Sequence, residues 1–181
     1  SVGVPANVHM HQQPTPGVRL DRWEYDLLKK TAQRHGTYYR LDREGRLHHL
    51  GSAESDPGLS SADALASSAV GRSQGLVFID TIDGEAPRLD NLGTLILDTE
   101  YIEALLVVQG HVMLKPSGAG RTLPVLSPAP EGASALSSRI PVTLSGIHLN
   151  GLLYAAGAIT VERETRIYGA LITAGTVATG S

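Results

Sequence analysis

Residues 149–179 read LNGLLYAAGAITVERETRIYGALITAGTVAT, and within this stretch the chain repeats its own pattern. The segment that begins at Leu149 matches the one that begins 18 residues later at Ile167 (167 − 149), with aliphatic residues aligned on aliphatic residues and glycine on glycine. An antiparallel hairpin would mirror its pattern about the turn, whereas this pattern is translated. Translation in the same order is typical of successive coils stacked in parallel, because like residues then lie on like residues.

The same pattern occurs twice upstream, clearly at residues 102–112 and more faintly at residues 75–80. We therefore expect at least four passes of one strand–bend–strand unit. Each unit exposes an apolar face that only its neighbours can bury. The predicted fold class is mainly β, a short β-solenoid-like or layered sheet domain with one N-terminal amphipathic capping helix.

The capping helix is predicted between Leu20 and Gly36. Asp21 is a suitable N-cap, and Glu24 lies three residues later, as in a capping box. The helical spacing groups the apolar residues into one stripe that we expect to pack on an open end or a face of the sheet: Leu20, Trp23, Leu27, Leu28 and Thr31.

The chain of 181 residues is long enough for one domain with a substantial core. We expect a single domain, 1–181, with a hairpin over residues 37–50 and a short helix capped by Ser60 or Ser61. Its predicted parts are an extended arm (1–20), the helix plus hairpin (21–50), a Ser/Ala-rich linker (51–74) and β-solenoid repeats (75–179) with a loop insertion at 116–141.

Composition excludes several kinds of site. Because there is no cysteine, a disulfide framework, a cysteine-zinc site and a thiol nucleophile are all excluded. No apolar run approaches the roughly 18 residues of a membrane span. The net charge of −3 is uneven, since residues 17–50 carry eight Lys or Arg against five Asp or Glu.

The sequence contains none of the common catalytic or nucleotide-binding motifs, and we predict no catalytic residue, cofactor or metal site. Three groups of acidic residues are alternative candidates for a metal site or a catalytic site. The acidic turn of Asp80, Asp83 and Glu85 suits Ca²⁺ by ligand type, although its spacing matches no known calcium loop. Carboxylates on one sheet face can also act on polysaccharides. The candidates for such an activity are Asp98, Glu100 and Glu103 on one connection and Glu162 and Glu164 on another.

A basic surface with aromatic residues is predicted in the N-terminal third. Lysine and arginine side chains there could contact phosphates, and tyrosines could stack on bases. The interleaved acidic residues and the negative total charge argue against nucleic acid as the partner. The predicted partner surface consists of Lys29, Lys30, Arg34, Tyr38, Arg40, Arg43 and Arg46.

Three segments carry a resemblance to a known family: YDLLKKTAQRHGTYY (25–39), GLVFID (75–80) and the closing repeat (149–175). With them, the chain resembles the C-terminal globular region of PilX-like type IV pilus assembly proteins, which are minor-pilin-like. The resemblance implies a role in a surface filament and no catalytic residues. The N-terminal hydrophobic helix of that family has no counterpart here, so we expect a truncated or processed head with any membrane anchor outside this chain.

The expected function is therefore non-enzymatic: a structural or adhesive head of a type IV pilus-associated or related secreted filament, at the bacterial cell surface. Its expected partners are other filament subunits, with a surface ligand or DNA as further partners. Three alternatives stay open. They are a DNA-binding receptor at a pilus tip, a polysaccharide-active β-helix enzyme, and a cytoskeletal polymer whose uncapped ends stack end to end.

Overall fold

The computed structural model describes residues 17–53, 55–126 and 141–179. The arm predicted at 1–20 therefore lies almost entirely outside the described residues. The described part contains helices α1 (Arg22–His35) and α2 (Ser61–Leu65). Its strands are β1 (Thr37–Leu41), β2 (Leu47–His49), β3 (Leu76–Asp80), β4 (Thr94–Leu97), β5 (Ile102–Val108), β6 (His111–Leu114), β7 (Arg121–Leu126), β8 (Pro141–Ile147), β9 (Leu149–Ala155), β10 (Ile159–Val161), β11 (Ile167–Thr173) and β12 (Val177–Thr179). The domain is mainly β, as predicted.

The larger sheet has six strands in the order β11-β9-β5-β3-β1-β2, and every pair in it except β1–β2 is parallel. Its register confirms the alignment read from the sequence. Leu149 lies opposite Ile167 and Leu153 opposite Leu171, while Ile102 lies opposite Leu149. Like residues therefore form ladders across successive strands.

The smaller sheet has four parallel strands in the order β12-β10-β6-β4. Ile159 lies between Val112 and Val177 in this sheet. The chain alternates between the two sheets, so that β3–β4, β5–β6, β9–β10 and β11–β12 are four passes of one unit. The expected translation of the pattern thus corresponds to parallel stacking in both sheets.

The main core lies between the two sheets and is built from alternate residues of each strand. Val77, Leu106 and Leu153 face it from the larger sheet, and Leu95 and Ile159 from the smaller one, all with no exposed surface. Complete burial of such side chains stabilises the fold by about 1.5–3 kcal/mol each. The outer face of the larger sheet carries a second cluster, which includes Tyr38, Phe78 and Tyr154, and α1 lies over it.

Helix α1 confirms the predicted cap, but the predicted apolar face only in part: Leu20 and Leu28 pack against the cluster on the outer face of the larger sheet. The Asp21 carboxylate accepts a hydrogen bond from the Glu24 amide, and the Glu24 carboxylate accepts one from the Asp21 amide. However, Trp23 is 70% exposed and Leu27 is 47% exposed. The helix instead turns Tyr25 and Ala32 inward, and it covers a face of the sheet rather than an end of the stack.

The predicted hairpin and short helix are both confirmed, and they close one end of the stack. β1 and β2 pair antiparallel around a turn in which the Asp42 carboxylate accepts hydrogen bonds from two backbone amides. Ser60 caps α2 by accepting a hydrogen bond from the Asp63 amide. Leu41, Leu47 and Leu65 from these elements complete the main core at this end.

The insertion predicted as a loop at 116–141 contains regular structure at both of its ends. β7 pairs antiparallel with β8, which begins at Pro141. The hairpin has its own small core, formed by Leu123, Ile147 and Tyr101. β-forming residues within a Pro- and Ser-rich stretch explain why composition alone did not predict the strand. Residues 127–140 lie outside the described residues.

Two glycines allow adjacent strands of the larger sheet to approach closely. Gly151 has φ +134° and Gly169 has φ +147°, values that L-residues with a side chain rarely adopt. A Cβ atom at Gly151 would overlap the carbonyl oxygen of Ala104, and one at Gly169 would overlap the carbonyl oxygen of Gly151. Gly151 and Gly169 therefore each admit the backbone of the preceding layer.

We expect Gly151→Ala to lower the free energy of unfolding by about 3 kcal/mol, because it adds backbone strain and a clash with Ala104. Gly51→Ala is the matched control. Gly51 also has positive φ, but nothing lies near its absent side chain. This control should cost only about 1 kcal/mol. Urea unfolding followed by circular dichroism measures both values, and equal losses would contradict the role of close strand approach.

Candidate functional site

Asp80 ends β3 on the outer face of the larger sheet, beneath α1, and its side chain has no exposed surface. Four groups donate to its carboxylate. The Tyr25 hydroxyl lies 2.7 Å from Oδ1 and the Thr81 amide 2.9 Å from the same oxygen. The Tyr38 hydroxyl lies 2.8 Å from Oδ2. The Lys29 ammonium forms an ion pair with Oδ2 at 2.7 Å.

This network fixes the position of α1 on the sheet. Lys29 also donates to the carbonyl oxygen of Gly84, and so it joins the helix to the segment after β3. A buried carboxylate is costly unless it is paired and hydrogen-bonded, and Asp80 is both. Because both of its oxygens are occupied, the geometry indicates a clamp between helix and sheet.

The network also holds its tyrosines in their neutral form. Burial raises the pKa of Tyr25 and of Tyr38 well above the usual value for tyrosine, and the nearby Asp80 charge and hydrogen bond raise each pKa further. Only a neutral hydroxyl can donate to the carboxylate. The fold therefore favours the protonated state of both side chains.

The acidic turn is not a single cluster of carboxylates. Asp80 points into the network, whereas Asp83 accepts hydrogen bonds from Thr81, Glu85, Asn91 and Arg88. Desolvation alone would raise the pKa of Asp83, but these hydrogen bonds outweigh it and lower the pKa to about 2. Asp83 thus organises the segment that follows β3. Within the described residues, no group of three or more His, Asp or Glu side chains could hold a metal ion.

The other predicted carboxylates are directed to separate partners. Asp98 accepts a hydrogen bond from Ser61, and Glu100 pairs with Arg121. Glu103 accepts a hydrogen bond from the Tyr101 hydroxyl; burial and this bond raise the pKa of Tyr101 to about 12. In the second group, Glu162 pairs with Lys115 and Glu164 with Arg166.

Two of the seven side chains predicted to form the partner surface instead contact the buried Asp80 carboxylate. Lys29 and Tyr38 both bind Asp80 and cannot at the same time contact a phosphate or stack on a base. The remaining side chains are exposed on α1, β1 and the hairpin turn: Lys30, Arg34, Arg40, Arg43 and Arg46. The surface is therefore less basic and less aromatic than expected.

A groove that the sequence analysis missed lies where the N-terminus of α1 meets the bends between the sheets. It has a volume of about 540 Å³. Small residues of two successive bends form one wall, and larger apolar side chains come from two other segments. The lining includes Leu20, Leu89, Leu92, Tyr154, Ala156, Gly157, Ala174 and Gly175, together with three arginines, Arg19, Arg22 and Arg88.

The groove is mostly apolar, which suits a ligand with an apolar body. Its charged lining is mixed, because Asp21 lies beside the arginines and Arg88 pairs with Asp83 and Asp90. Its wall is well ordered, since the Tyr154 hydroxyl accepts a hydrogen bond from the Leu20 amide and His111 Nδ1 accepts one from the Ala158 amide. Five separate segments of the chain form the groove. In the sequence, the glycines repeated at the bends were the one signal that could have indicated a groove on this side of the domain.

A scan against protein-family models finds no match to this chain, and searches of curated proteins and of solved structures find no significant match either. Neither helix in the described part of the chain is long and apolar enough to cross a membrane.

We expect Lys29→Met to lower the free energy of unfolding by about 3 kcal/mol, because it leaves the buried Asp80 charge without its ion-pair partner. Lys30→Met is the matched control: it makes the same change at an exposed position on the same helix and should cost less than about 0.5 kcal/mol. Chemical denaturation measures both values. Similar losses in the two variants would show that the ion pair does not hold the helix.

We also expect stability to fall as the pH rises above about 10, the usual pKa of tyrosine. Because the folded-state pKa values of Tyr25 and Tyr38 are raised, the unfolded chain binds fewer protons than the folded chain above this pH. The stabilising contribution of the neutral tyrosines is fully present below pH 10. Above pH 10, each tyrosine lowers the free energy of unfolding by up to about 1.4 kcal/mol per pH unit.

Denaturant unfolding between pH 7 and 12 measures this dependence. Tyr38→Phe should make the alkaline slope shallower, because one of the tyrosines with a raised pKa is then absent. A stability that stays constant up to pH 12 would contradict the proposed burial of neutral tyrosines.

Proposed function

We propose that this chain is a non-enzymatic structural and adhesive head of a surface filament, of the type IV pilus kind or a related secreted kind. Its core in this proposal is a short β-solenoid. Its partners are other filament subunits and a surface ligand, and it acts outside the cell. The mechanism is presentation: a rigid core holds binding surfaces in a defined position.

The solenoid interpretation is supported by the path of the chain through its two sheets. Three consecutive passes, β5–β6, β9–β10 and β11–β12, each place one long strand in the larger sheet and one short strand in the smaller sheet. The bends lie on one another, since a Cβ atom at Gly175 would contact the backbone of Gly157. Parallel passes in register are what a solenoid requires.

The observation that carries the filament proposal is the packing together of the three segments that resemble the pilus family. Residues 25–39 form most of α1 and the start of β1, residues 75–80 form β3, and residues 149–175 include β9 and β11. All four strands belong to one sheet, and α1 packs on its outer face. The three segments thus form one packed unit, as a structural basis for the proposed resemblance would require.

A packed unit of this kind can hold binding surfaces in fixed positions for a partner. Most of its core residues lie in parallel ladders, and the Asp80 network clamps the helix to the sheet. Two features can then be offered to a partner in fixed positions. One is the hairpin β7–β8, attached through Tyr101, and the other is the groove at the N-terminus of α1. Neither requires covalent chemistry.

Location in the source organism tests this proposal. A short epitope tag added to the chromosomal gene allows the full-length protein to be followed in sheared filament fractions and by immunogold microscopy. We expect the tag in the filament fraction, and its loss from that fraction when the gene for the major filament subunit is deleted. A cytoplasmic enzyme probed in the same fractions controls for lysis.

A tag that remains inside intact cells and is protected from added protease would overturn the proposal. That result would favour the cytoskeletal alternative. Binding of the purified chain to DNA with a steep dependence on salt would favour a DNA receptor, and release of reducing ends from a polysaccharide would favour an enzyme.

A further inference from the structure

The two ends of the stack differ. The first end is covered by the β1–β2 hairpin and by α2, whose leucines are buried in the main core. The second end is formed by β11 in the larger sheet and β12 in the smaller one. Within the described residues, no strand pairs with the outer edge of either. This second end is called the terminal layer below and consists of residues 167–179.

Within residues 17–53, 55–126 and 141–179, no further layer covers the residues of the terminal layer whose counterparts in the preceding layer are buried, although the backbone of Gly17 lies against Ala174 at its bend. In the layer before it, Leu149, Leu153 and Ile159 are at most 3% exposed. Their partners in register are Ile167, Leu171 and Val177, which face the same core but are only partly buried. Residue type and register are equivalent, so the difference arises because no strand of the described residues lies beyond them.

The edge is also unprotected against pairing. Exposed edge strands usually carry charges or proline, or they are very short, because their free amides and carbonyls otherwise recruit another strand. β11 has seven residues, IYGALIT, with no charge and no proline, and β12 has none either. The opposite edge strand, β2, has only three residues, of which two are histidines. In the larger sheet, the edge strand at one end is thus short and polar, whereas the edge strand at the other end is long and uncharged.

The charges near the terminal layer do not oppose self-association. The connection that precedes β11 contains two glutamates and two arginines, and Glu164 pairs with Arg166. No charged residue occurs from 167 to 179. A second terminal layer would therefore meet an apolar and neutral surface of its own kind.

We propose that the terminal layer binds the terminal layer of a second copy of this chain. A two-fold axis along the sheet normal places β11 antiparallel to its counterpart and β12 antiparallel to its counterpart. Both sheets then continue across the interface, and each half-buried aliphatic residue is covered. Because a two-fold interface is closed and the other end of the stack is covered, the assembly stops at a dimer.

The size of the layer sets the expected affinity. Seven residues span roughly 23 Å along the strand, and two sheets lie about 10 Å apart, so the layer with its side chains covers roughly 500 Å² per copy. A total near 1,000 Å² lies at the lower limit for specific interfaces. The dimer should therefore form with a micromolar dissociation constant.

Sedimentation equilibrium of the purified chain from 1 to 200 µM tests the proposal. We expect a monomer–dimer equilibrium within this range. Ala170→Lys, an exposed position at the middle of β11, should weaken the dimer at least tenfold, because two like charges then meet near the axis. Ala62→Lys is the matched control. It adds the same charge at an exposed position on α2, at the covered end, and should leave the dimer unchanged. Circular dichroism checks that both variants fold.

Cross-linking provides a second measurement. Because the chain has no cysteine, a single Ala170→Cys substitution introduces the only thiol. Mild oxidation should convert this variant to a covalent dimer, whereas Ala62→Cys should stay monomeric. A chain that remains monomeric up to 200 µM and does not cross-link through residue 170 would overturn the proposal. So would growth beyond the dimer or preferential cross-linking through residue 62. These measurements use purified protein, so their outcome is independent of where the protein acts in the cell.

Discussion

Each strand–bend–strand pass of this protein must cover the apolar residues of the pass before it, and the rest of the structure depends on this requirement. A single pass contributes one strand to each sheet and cannot bury its own inward side chains. Stacking in register solves the problem, because Leu106, Leu153 and Leu171 then lie on one another. The close approach of layers at Gly151 and Gly169 follows from the same constraint.

A buried charge decides how the helix meets this stack. Helix α1 has two sides that could face the sheet, one with Trp23 and Leu27 and the other with Tyr25, Lys29 and Ala32. The second side is chosen, because it brings a cation and a hydroxyl donor to the fully buried Asp80. Exposing Trp23 sacrifices a large apolar contact, but leaving Asp80 unpaired in the interior would cost more. The same choice removes Lys29 and Tyr38 from the surface that was expected to bind partners.

The surfaces that remain available follow from these two constraints. One end of the stack is closed by the hairpin and α2, whereas at the other end no strand of the described residues pairs with β11 or β12, and this is the end that we propose for self-association. The groove forms where the bends leave small residues facing the start of α1. A head that presents surfaces to filament subunits and to a ligand is consistent with this division between a rigid interior and a few exposed features.

The repeat alone was enough to predict the parallel strands, their register and the number of passes, because stacked coils need the same residue types at the same interval. Local signals were also sufficient for the cap of α1, the β1–β2 hairpin and the cap of α2, since each depends on residues close in the chain. The face of α1, the separation of Asp80 from Asp83, the strand β7 and the groove were not predictable in this way. Each depends on contacts between residues far apart in sequence: Tyr25 lies 55 positions from Asp80, and the groove joins five separate segments. Periodicity shows which residues are apolar. Only the tertiary structure decides which apolar side chains stay exposed, because pairing a buried charge can matter more than burying them.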